Sequence, residues 1–192
     1  MRLIKKLRNI IFDLSVGNRI LAGSIKTSSS HFGAYDAVNS DYDILSYIFR
    51  NKCEINKTDV LVDVGCGKGR VINYWLRRKL KNTIFGIEID SNVAKSTSNR
   101  LRKYTNVKII NGDIIKNIPL NATIFYLFNP FNRLVLDQFR ETLEDLFLNS
   151  NIKIIYYNPG HLDVFMSNSN WKITTFDIPN VNAHKCAIIT NN

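Results

Sequence analysis

Residues 60–70, VLVDVGCGKGR, decide the fold of this chain. The apolar, β-branched run over residues 59–64 predicts a short buried strand, and the closely spaced glycines behind it predict a tight turn into a helix over residues 68–80. Glycine lets the backbone turn sharply and lets a ligand approach where a Cβ would stand in the way. The stretch therefore predicts a strand–turn–helix unit with a ligand at the turn.

The composition is typical of one globular domain. The 192 residues are 45% hydrophobic and 22% charged, which is enough for a core and argues against disorder. Neither a membrane span nor a signal peptide is recognised, and the three cysteines and three histidines are too scattered for a metal site. We therefore predict a cytoplasmic protein without a metal. The net charge of +10 is typical of a protein with an anionic partner, such as nucleic acid, a membrane surface or a phosphorylated substrate. The alternative is AT-rich codon usage, under which Asn, Ile and Lys are all abundant.

The N-terminal part of the chain predicts a helical extension and a lid. Residues 2–14 form a basic amphipathic helix, which would pack on its own domain, on a partner subunit or peripherally on an anionic membrane. The Gly- and Ser-rich residues 23–35 predict a loop. Within and just beyond that loop, Phe32, Tyr35 and Tyr42 would cover a bound ligand or pack in the core.

The rest of the chain alternates strands with helices. Strands are predicted over residues 59–64, 83–89, 107–113, 122–128, 152–158, 171–177 and 183–190, and further helices over 91–104 (capped by Ser91), 133–148 and 161–168. This alternation predicts an α/β three-layer sandwich around a mostly parallel sheet, and the two consecutive final strands predict an antiparallel edge. We divide the chain into an extension with lid, residues 1–52, and a ligand-binding domain, residues 53–192.

The residues after the first strand indicate the ligand, because open α/β sheets bind ligands beyond the carboxyl ends of their strands. Gly65, Gly67 and Gly69 depart from the dinucleotide pattern G-x-G-x-x-G, since the third glycine comes one place early. Asp63 precedes the first glycine by two residues, and its carboxylate would repel a pyrophosphate but accept hydrogen bonds from an ammonium group. The pattern favours an amino acid–nucleoside over a dinucleotide.

The next two strands end in residues that suit a nucleoside. Glu88 lies 21 positions beyond Gly67, about where an acid that receives ribose hydroxyls is expected. Asp113 would accept a hydrogen bond from an exocyclic amine, and Ile114 would pack on adenine or donate its N–H to a ring nitrogen. The alternative for each acid alone is a helix cap, but their order and spacing favour one ligand site.

Taken in order, these motifs resemble those of class I S-adenosylmethionine-dependent methyltransferases. VLVDVGCGKGR is similar to the first motif of that family, IFGIEID to the second, NGDI to the adenine-side motif and YLFNPF to the fourth, which borders the methyl group. The resemblance covers roughly residues 55–190. It implies S-adenosyl-L-methionine as cofactor, a seven-stranded sheet in the order 3-2-1-4-5-7-6 whose last strand is antiparallel, and methyl transfer from a sulfonium to a nucleophile.

The stretch FNPF also resembles the Asp/Asn/Ser-Pro-Pro-aromatic motif of amine-directed methyltransferases, with one proline in place of two. The resemblance implies that Asn129 Oδ1 and the Pro130 carbonyl hold a target amine and that Phe131 packs against it. The alternative is that Asn129 and Pro130 simply end the strand. After the fifth strand, Asn158 and His161 would line the opposite wall, with His161 as a general base or as a surface residue.

We therefore predict a methyltransferase acting on an amine of a protein side chain or small molecule. The basic residues of the first two domain helices are expected on a flank of the fold and not over the pocket, which weakens the case for nucleic acid. The alternatives are an RNA or DNA methyltransferase that uses the basic face and a non-catalytic cofactor-binding module. The glycine spacing and Asp63 disfavour a nicotinamide oxidoreductase.

Overall fold

The computed structural model of the chain describes residues 2–23, 39–167, 170–179 and 184–191. The helices are α1 (Arg2–Ser15), α2 (Tyr42–Asn51), α3 (Arg70–Arg77), α4 (Ser91–Leu101), α5 (Arg133–Leu146) and α6 (Asp163–Met166). The strands are β1 (Leu61–Val64), β2 (Ile84–Glu88), β3 (Val107–Asn111), β4 (Ile124–Phe128), β5 (Lys153–Tyr157), β6 (Trp171–Asp177) and β7 (Lys185–Asn191). Phe32 and Tyr35, which were predicted either to cover a ligand or to pack in the core, lie outside the described ranges.

The strands form one sheet in the order β3-β2-β1-β4-β5-β7-β6. The first five strands are parallel, and β7 is antiparallel to both of its neighbours. The predicted strand order and the antiparallel last strand are therefore confirmed. The division of the chain at residue 53 stays a prediction.

The register of the central strands sets their carboxyl ends at one edge of the sheet. Val64, the last residue of β1, pairs with Ile87 on one side and with Leu127 on the other. Glu88 and Phe128 are the next residues of those neighbouring strands. The segments that follow β1, β2 and β4 therefore leave the sheet beside one another, as a ligand site at this edge requires.

Three predicted helix starts are corrected by the structure, and the simplest case is α6, which begins at Asp163 and not at residue 161. The helix after the glycine turn begins at Arg70 and not at residue 68, because Gly69 has the left-handed φ of 73° and lies outside the helix. α4 is capped by Asp90 and not by Ser91, since the Asp90 side chain accepts hydrogen bonds from the N–H groups of Asn92 and Val93. An aspartate in this position also suits the positive end of the helix dipole.

Helix α1 packs on its own domain through one face. The ring of Phe12 lies 5.1 Å from that of Tyr42, and the guanidinium of Arg77 lies 3.8 Å from the centroid of the Phe12 ring. Tyr42 is buried and donates a hydrogen bond to Asp13 Oδ1 at 2.8 Å, so it packs in the core, the second of the two alternatives. Among the described residues, no helix is long and apolar enough to cross a membrane.

Candidate cofactor and acceptor site

The glycine turn lies directly against the loop that follows β4. Gly65, Gly67 and Gly69 all have positive φ angles, between 51° and 73°, a backbone conformation that is costly for other residues. A Cβ at Gly65 would lie 3.3 Å from the Cβ of Pro130. The turn predicted to hold a cofactor and the loop predicted to hold an acceptor are therefore in contact.

Asp63 is a buried carboxylate beside this turn. Within the described part of the chain, its Oδ2 has no hydrogen-bond partner. Burial, and to a lesser extent the charge of Glu88, raise the pKa of the Asp63 carboxyl well above its ordinary value. A buried anion without a partner is costly, and an ammonium group bound at the turn would supply both a donor and a countercharge. Asp63 therefore fits the amino acid part of S-adenosylmethionine.

Glu88 ties the end of β2 to the glycine turn. Its Oε2 accepts a hydrogen bond from the N–H of Gly67 at 2.8 Å, and its Oε1 accepts one from Asp90 N at 3.0 Å. Burial raises the pKa of this carboxyl, although the backbone N–H groups of Asp90 and Gly67 act in the opposite direction. A carboxylate oxygen has two acceptor positions, so each oxygen can still receive a ribose hydroxyl. The predicted role of Glu88 in binding the ribose is therefore compatible with its hydrogen bonds to Gly67 and Asp90. The sequence did not predict these two hydrogen bonds.

Two residues of α4 support the turn from behind, and sequence reasoning missed both. Thr97 Oγ1 donates to the carbonyl of Gly67 at 2.8 Å, and Arg100 Nη2 donates to the carbonyl of Lys68 at 2.7 Å. The two side chains are three positions apart and therefore share one face of the helix. That spacing was the available signal, since a buried helix face with polar residues needs polar partners.

The segment after β3 lies beside Glu88. The N–H of Gly112 donates to the Glu88 carbonyl at 3.0 Å. Asp113 is half-buried and caps a single 3₁₀ turn (Ile114–Lys116), with its Oδ1 accepting from the N–H of Ile115 at 3.0 Å. Ile114 is buried in the core. The structure thus brings Asp113 and Ile114 to the same edge as Glu88, while their contacts to adenine stay predictions.

Asn129 links the loops after β4 and β5. Its Oδ1 accepts hydrogen bonds from the Tyr156 hydroxyl at 2.8 Å and from the N–H of Gly160 at 3.2 Å. A backbone N–H can only donate, so the Gly160 bond fixes the orientation of the Asn129 amide. Both acceptor positions of Oδ1 are therefore in use within the protein. The predicted contact of this oxygen with a target amine requires one of these bonds to open.

The aromatic residues at this edge differ in burial. Phe131 is 8% exposed and its ring lies 6.0 Å from that of Phe139, inside the core. Phe128 is half-buried at the end of β4, and its ring lies 4.5 Å from that of Tyr157. Phe128 was not among the predicted site residues. The aromatic surface available to an acceptor at this edge is therefore larger for Phe128 than for Phe131.

Both Asn-Pro pairs have the same backbone conformation. Asn129 has φ 42° and Asn158 has φ 50°, so each asparagine is left-handed immediately before a proline. Non-glycine residues held in this region store strain, which is concentrated at functional sites. The N–H of Asn158 donates to the carbonyl of Lys185 at 2.8 Å, and half-buried His161 lies just before α6. The loop with Asn158 and His161, predicted to line the opposite wall of the site, is thus strained in the same way as the loop with Asn129 and lies beside it.

The most basic part of α3 lies away from the site. The helix begins at the glycine turn and runs back along the sheet, so exposed Arg77, Arg78 and Lys79 lie at its far end. This position agrees with the expectation of a basic flank. Cations that lie next to the turn include Lys68, whose Nζ donates to the carbonyls of residues 22 and 23, and Arg70, which directly follows Gly69. Arg100 of α4 also contacts the turn, so for this residue the expected position on the flank is corrected.

The strand order, the antiparallel last strand and the glycine turn flanked by Asp63 and Glu88 define the fold of class I S-adenosylmethionine-dependent methyltransferases. The predicted fold is confirmed by solved structures. The RNA methyltransferase of Salinibacter ruber, crystallised with S-adenosyl-L-homocysteine, superposes with a TM-score of 0.61 at 19% identity over 81% of this chain and 94% of its own.

Part of the chain is also similar in sequence to RNA methyltransferases. The profile of the ribosomal RNA adenine dimethylase family matches residues 40–124. The rRNA adenine N-6-methyltransferase of Limosilactobacillus reuteri is 32% identical over 90 residues, which are 46% of this chain and 36% of that protein. The protein of the same name from Lysinibacillus sphaericus is 35% identical over 66 residues, which are 34% of this chain and 26% of that protein. The matched segments are thus about a third or less of the curated relatives.

Proposed function

We propose that this protein is an S-adenosylmethionine-dependent methyltransferase whose acceptor is the N6 amine of adenine in RNA. The single observation that carries the cofactor assignment is the Oδ2 of Asp63, which is buried beside the glycine turn and has no hydrogen-bond partner among the described residues. A dinucleotide would bring a pyrophosphate to this carboxylate, whereas S-adenosylmethionine brings an ammonium group.

The residues of the turn have distinct roles in this proposal. Asp63 binds the ammonium group, the glycines let the backbone approach the cofactor, and Glu88 receives the ribose hydroxyls. Asp113 and Ile114 hold the adenine ring. When bound, S-adenosylmethionine supplies an electrophilic methyl group on a sulfonium.

The acceptor side rests on the contact between Gly65 and Pro130. Carbonyl oxygens at the Asn129-Pro130 turn accept hydrogen bonds from the target amine, which orients its lone pair and restricts its motion. Phe128 offers a ring on which a planar base can stack. The hydrogen bonds from Tyr156 and Gly160 to Asn129 keep the turn in place. Positioning and exclusion of water are the means by which such a site accelerates transfer.

RNA is supported as the acceptor by the relatives. Two relatives are named rRNA adenine N-6-methyltransferases, and the matching family profile describes ribosomal RNA adenine dimethylases. These comparisons favour the RNA alternative over the protein side chain or small molecule that the sequence analysis preferred. The profile ends at residue 124, the first residue of β4, so it spans the cofactor half of the site and stops before Asn129.

The test is transfer of tritiated methyl groups from S-adenosylmethionine to RNA, protein and small-molecule fractions of a cell extract. We expect label in RNA, released as N6-methyladenosine after digestion to nucleosides. Asp63→Ala should abolish the signal, while Asp145→Ala, at an exposed position of α5, should not. Label confined to protein or small molecules would overturn the acceptor, and calorimetry without any affinity for S-adenosylhomocysteine would overturn the cofactor.

A further inference from the structure

Helix α1 has two unlike faces. Phe12 and Asp13 of the helix, and Val16 directly after it, face the domain, and the last two are buried. The opposite face is apolar and open, and we call its residues the apolar stripe: Leu3 (80% exposed), Ile4 (74%), Leu7 (59%), Ile11 (55%) and Leu14 (41%). Successive residues of a helix are rotated by about 100°, so these five side chains span an arc of only about 100°. None of the described residues covers the stripe.

The charges of this helix are almost all positive. Its sequence contains Arg2, Lys5, Lys6 and Arg8, and its one acid is Asp13. Asp13 is fully buried against the domain and paired with Arg70, so it contributes no negative charge to the open surface. Lys6 is exposed, and partly exposed Arg8 pairs with Asp43 of α2. An occupant of the apolar stripe therefore meets apolar side chains flanked by cations.

We propose that α1 docks the protein on an anionic lipid bilayer, with the apolar stripe entering the boundary between headgroups and acyl chains. Helices that lie in this interface have the same combination of an apolar face and lysine or arginine beside it. The helix has 14 residues, short of the roughly 20 that a span needs, so it lies on the membrane and does not cross it.

The positive charge of α1 favours a lipid bilayer over a second copy of the chain as the partner that covers the apolar stripe. Two α1 helices packed stripe against stripe would bring their cations together with no exposed acid of the helix to offset them. Phosphate-bearing headgroups supply the opposite charge to Lys6 and its neighbours. RNA would also meet the cations, but it offers no apolar phase for Leu3, Ile4 and Leu7.

The first experiment is flotation of the full chain with lipid vesicles, either of phosphatidylcholine alone or of phosphatidylcholine with phosphatidylglycerol. We expect at least about tenfold stronger binding to the vesicles that contain phosphatidylglycerol, and weaker binding as salt screens the headgroups. Equal binding to both vesicles, or none to either, overturns the proposal.

The second experiment uses two exposed leucines. Leu7→Glu places a charge in the apolar stripe, while Leu148→Glu, at an 80% exposed position after α5, is the matched control. Both sites are open, so we expect both variants to fold with nearly unchanged Tm. Leu7→Glu should lower vesicle binding by at least about tenfold and Leu148→Glu should not. A dimer by light scattering, or RNA binding, that Leu7→Glu abolishes would assign the stripe to that partner and overturn the proposal.

Discussion

Arg70 donates hydrogen bonds to both carboxylate oxygens of Asp13, a residue 57 positions earlier in the chain. The Nη2–Oδ2 distance is 2.8 Å and the Nε–Oδ1 distance is 3.1 Å. The same carboxylate accepts from the Tyr42 hydroxyl at 2.8 Å and from the N–H of Leu21 at 2.9 Å. Arg70 is the first residue of α3, directly after Gly69. The ion pair therefore holds α1 against the end of the glycine turn, together with the segment that follows the helix up to Leu21.

Removing one partner of this buried pair should cost much more than removing a surface pair. Asp13→Ala leaves Arg70 buried without its countercharge, so we expect a loss of about 3–5 kcal/mol in the free energy of unfolding, measured with urea. Asp43→Ala, which breaks the exposed pair between α1 and α2, is the control and should cost less than about 1 kcal/mol. Equal losses in both variants would contradict the special role of Asp13.

Asp63→Asn should separate stability from cofactor binding. The amide removes a buried charge whose Oδ2 has no partner among the described residues. We therefore expect the free energy of unfolding of the cofactor-free variant to be about 1–3 kcal/mol higher than that of the unsubstituted protein at neutral pH. In a chain of this size, each kcal/mol corresponds to about 2–4 °C in Tm. Binding of S-adenosylhomocysteine, measured by calorimetry, should weaken by at least about tenfold because an ionic partner is lost. If the variant were less stable and its affinity for S-adenosylhomocysteine were unchanged, Asp63 would not be a cofactor-binding residue.

The pH dependence of this effect has a definite sign. Burial raises the folded-state pKa of Asp63 above its unfolded value, so its contribution to stability is complete below the unfolded pKa. That contribution is lost as the pH rises through the folded pKa. The difference in Tm between Asp63→Asn and the unsubstituted protein should therefore grow with rising pH, and calorimetric affinity of the unsubstituted protein for the cofactor should rise over the same interval. Thermal unfolding curves recorded without cofactor at a series of pH values, starting below the unfolded-state pKa of an aspartate, test this.

Glu88→Gln should impair the cofactor site through the backbone of the glycine turn. The amide replaces one acceptor oxygen with a donor, which would face the N–H of Gly67 or of Asp90. We expect affinity for S-adenosylhomocysteine to fall by about 10- to 100-fold, because both the turn and the ribose contact are disturbed. Glu141→Gln, on the exposed face of α5, serves as the control and should bind normally. Normal binding by Glu88→Gln would show that the turn does not depend on this carboxylate.

Tyr156→Phe tests the acceptor loop apart from the cofactor. The substitution removes the hydroxyl that donates to Asn129 Oδ1 at 2.8 Å. Of the two hydrogen bonds to this oxygen, only the one from the Gly160 N–H then remains. We expect kcat for methyl transfer to fall by about tenfold with little change in cofactor affinity. Tyr157→Phe, which removes a hydroxyl paired with His184, is the neighbouring control. A loss of cofactor affinity in Tyr156→Phe would place the residue on the other side of the site.

The sequence alone was sufficient for the architecture of this protein. Apolar runs at strand length, alternating with helical periodicity, predicted the parallel sheet, because strands buried on both faces must be apolar throughout. The three glycines identified the turn, since their positive φ angles are a local property of the backbone. Asp63 and Glu88 were predicted as site residues because each lies near the carboxyl end of a recognisable strand, at a fixed spacing from the glycines.

The contacts that hold the site in place depended on the tertiary structure. Asp13 and Arg70 are 57 residues apart, and nothing in either local sequence predicts that one will neutralise the other. Asn129 was correctly located at the edge of the sheet, but the partners of its side chain, Tyr156 and Gly160, come from the neighbouring strand and its loop. Local sequence determines backbone conformation and periodicity, whereas the partner of a buried polar group is decided only when distant segments pack together.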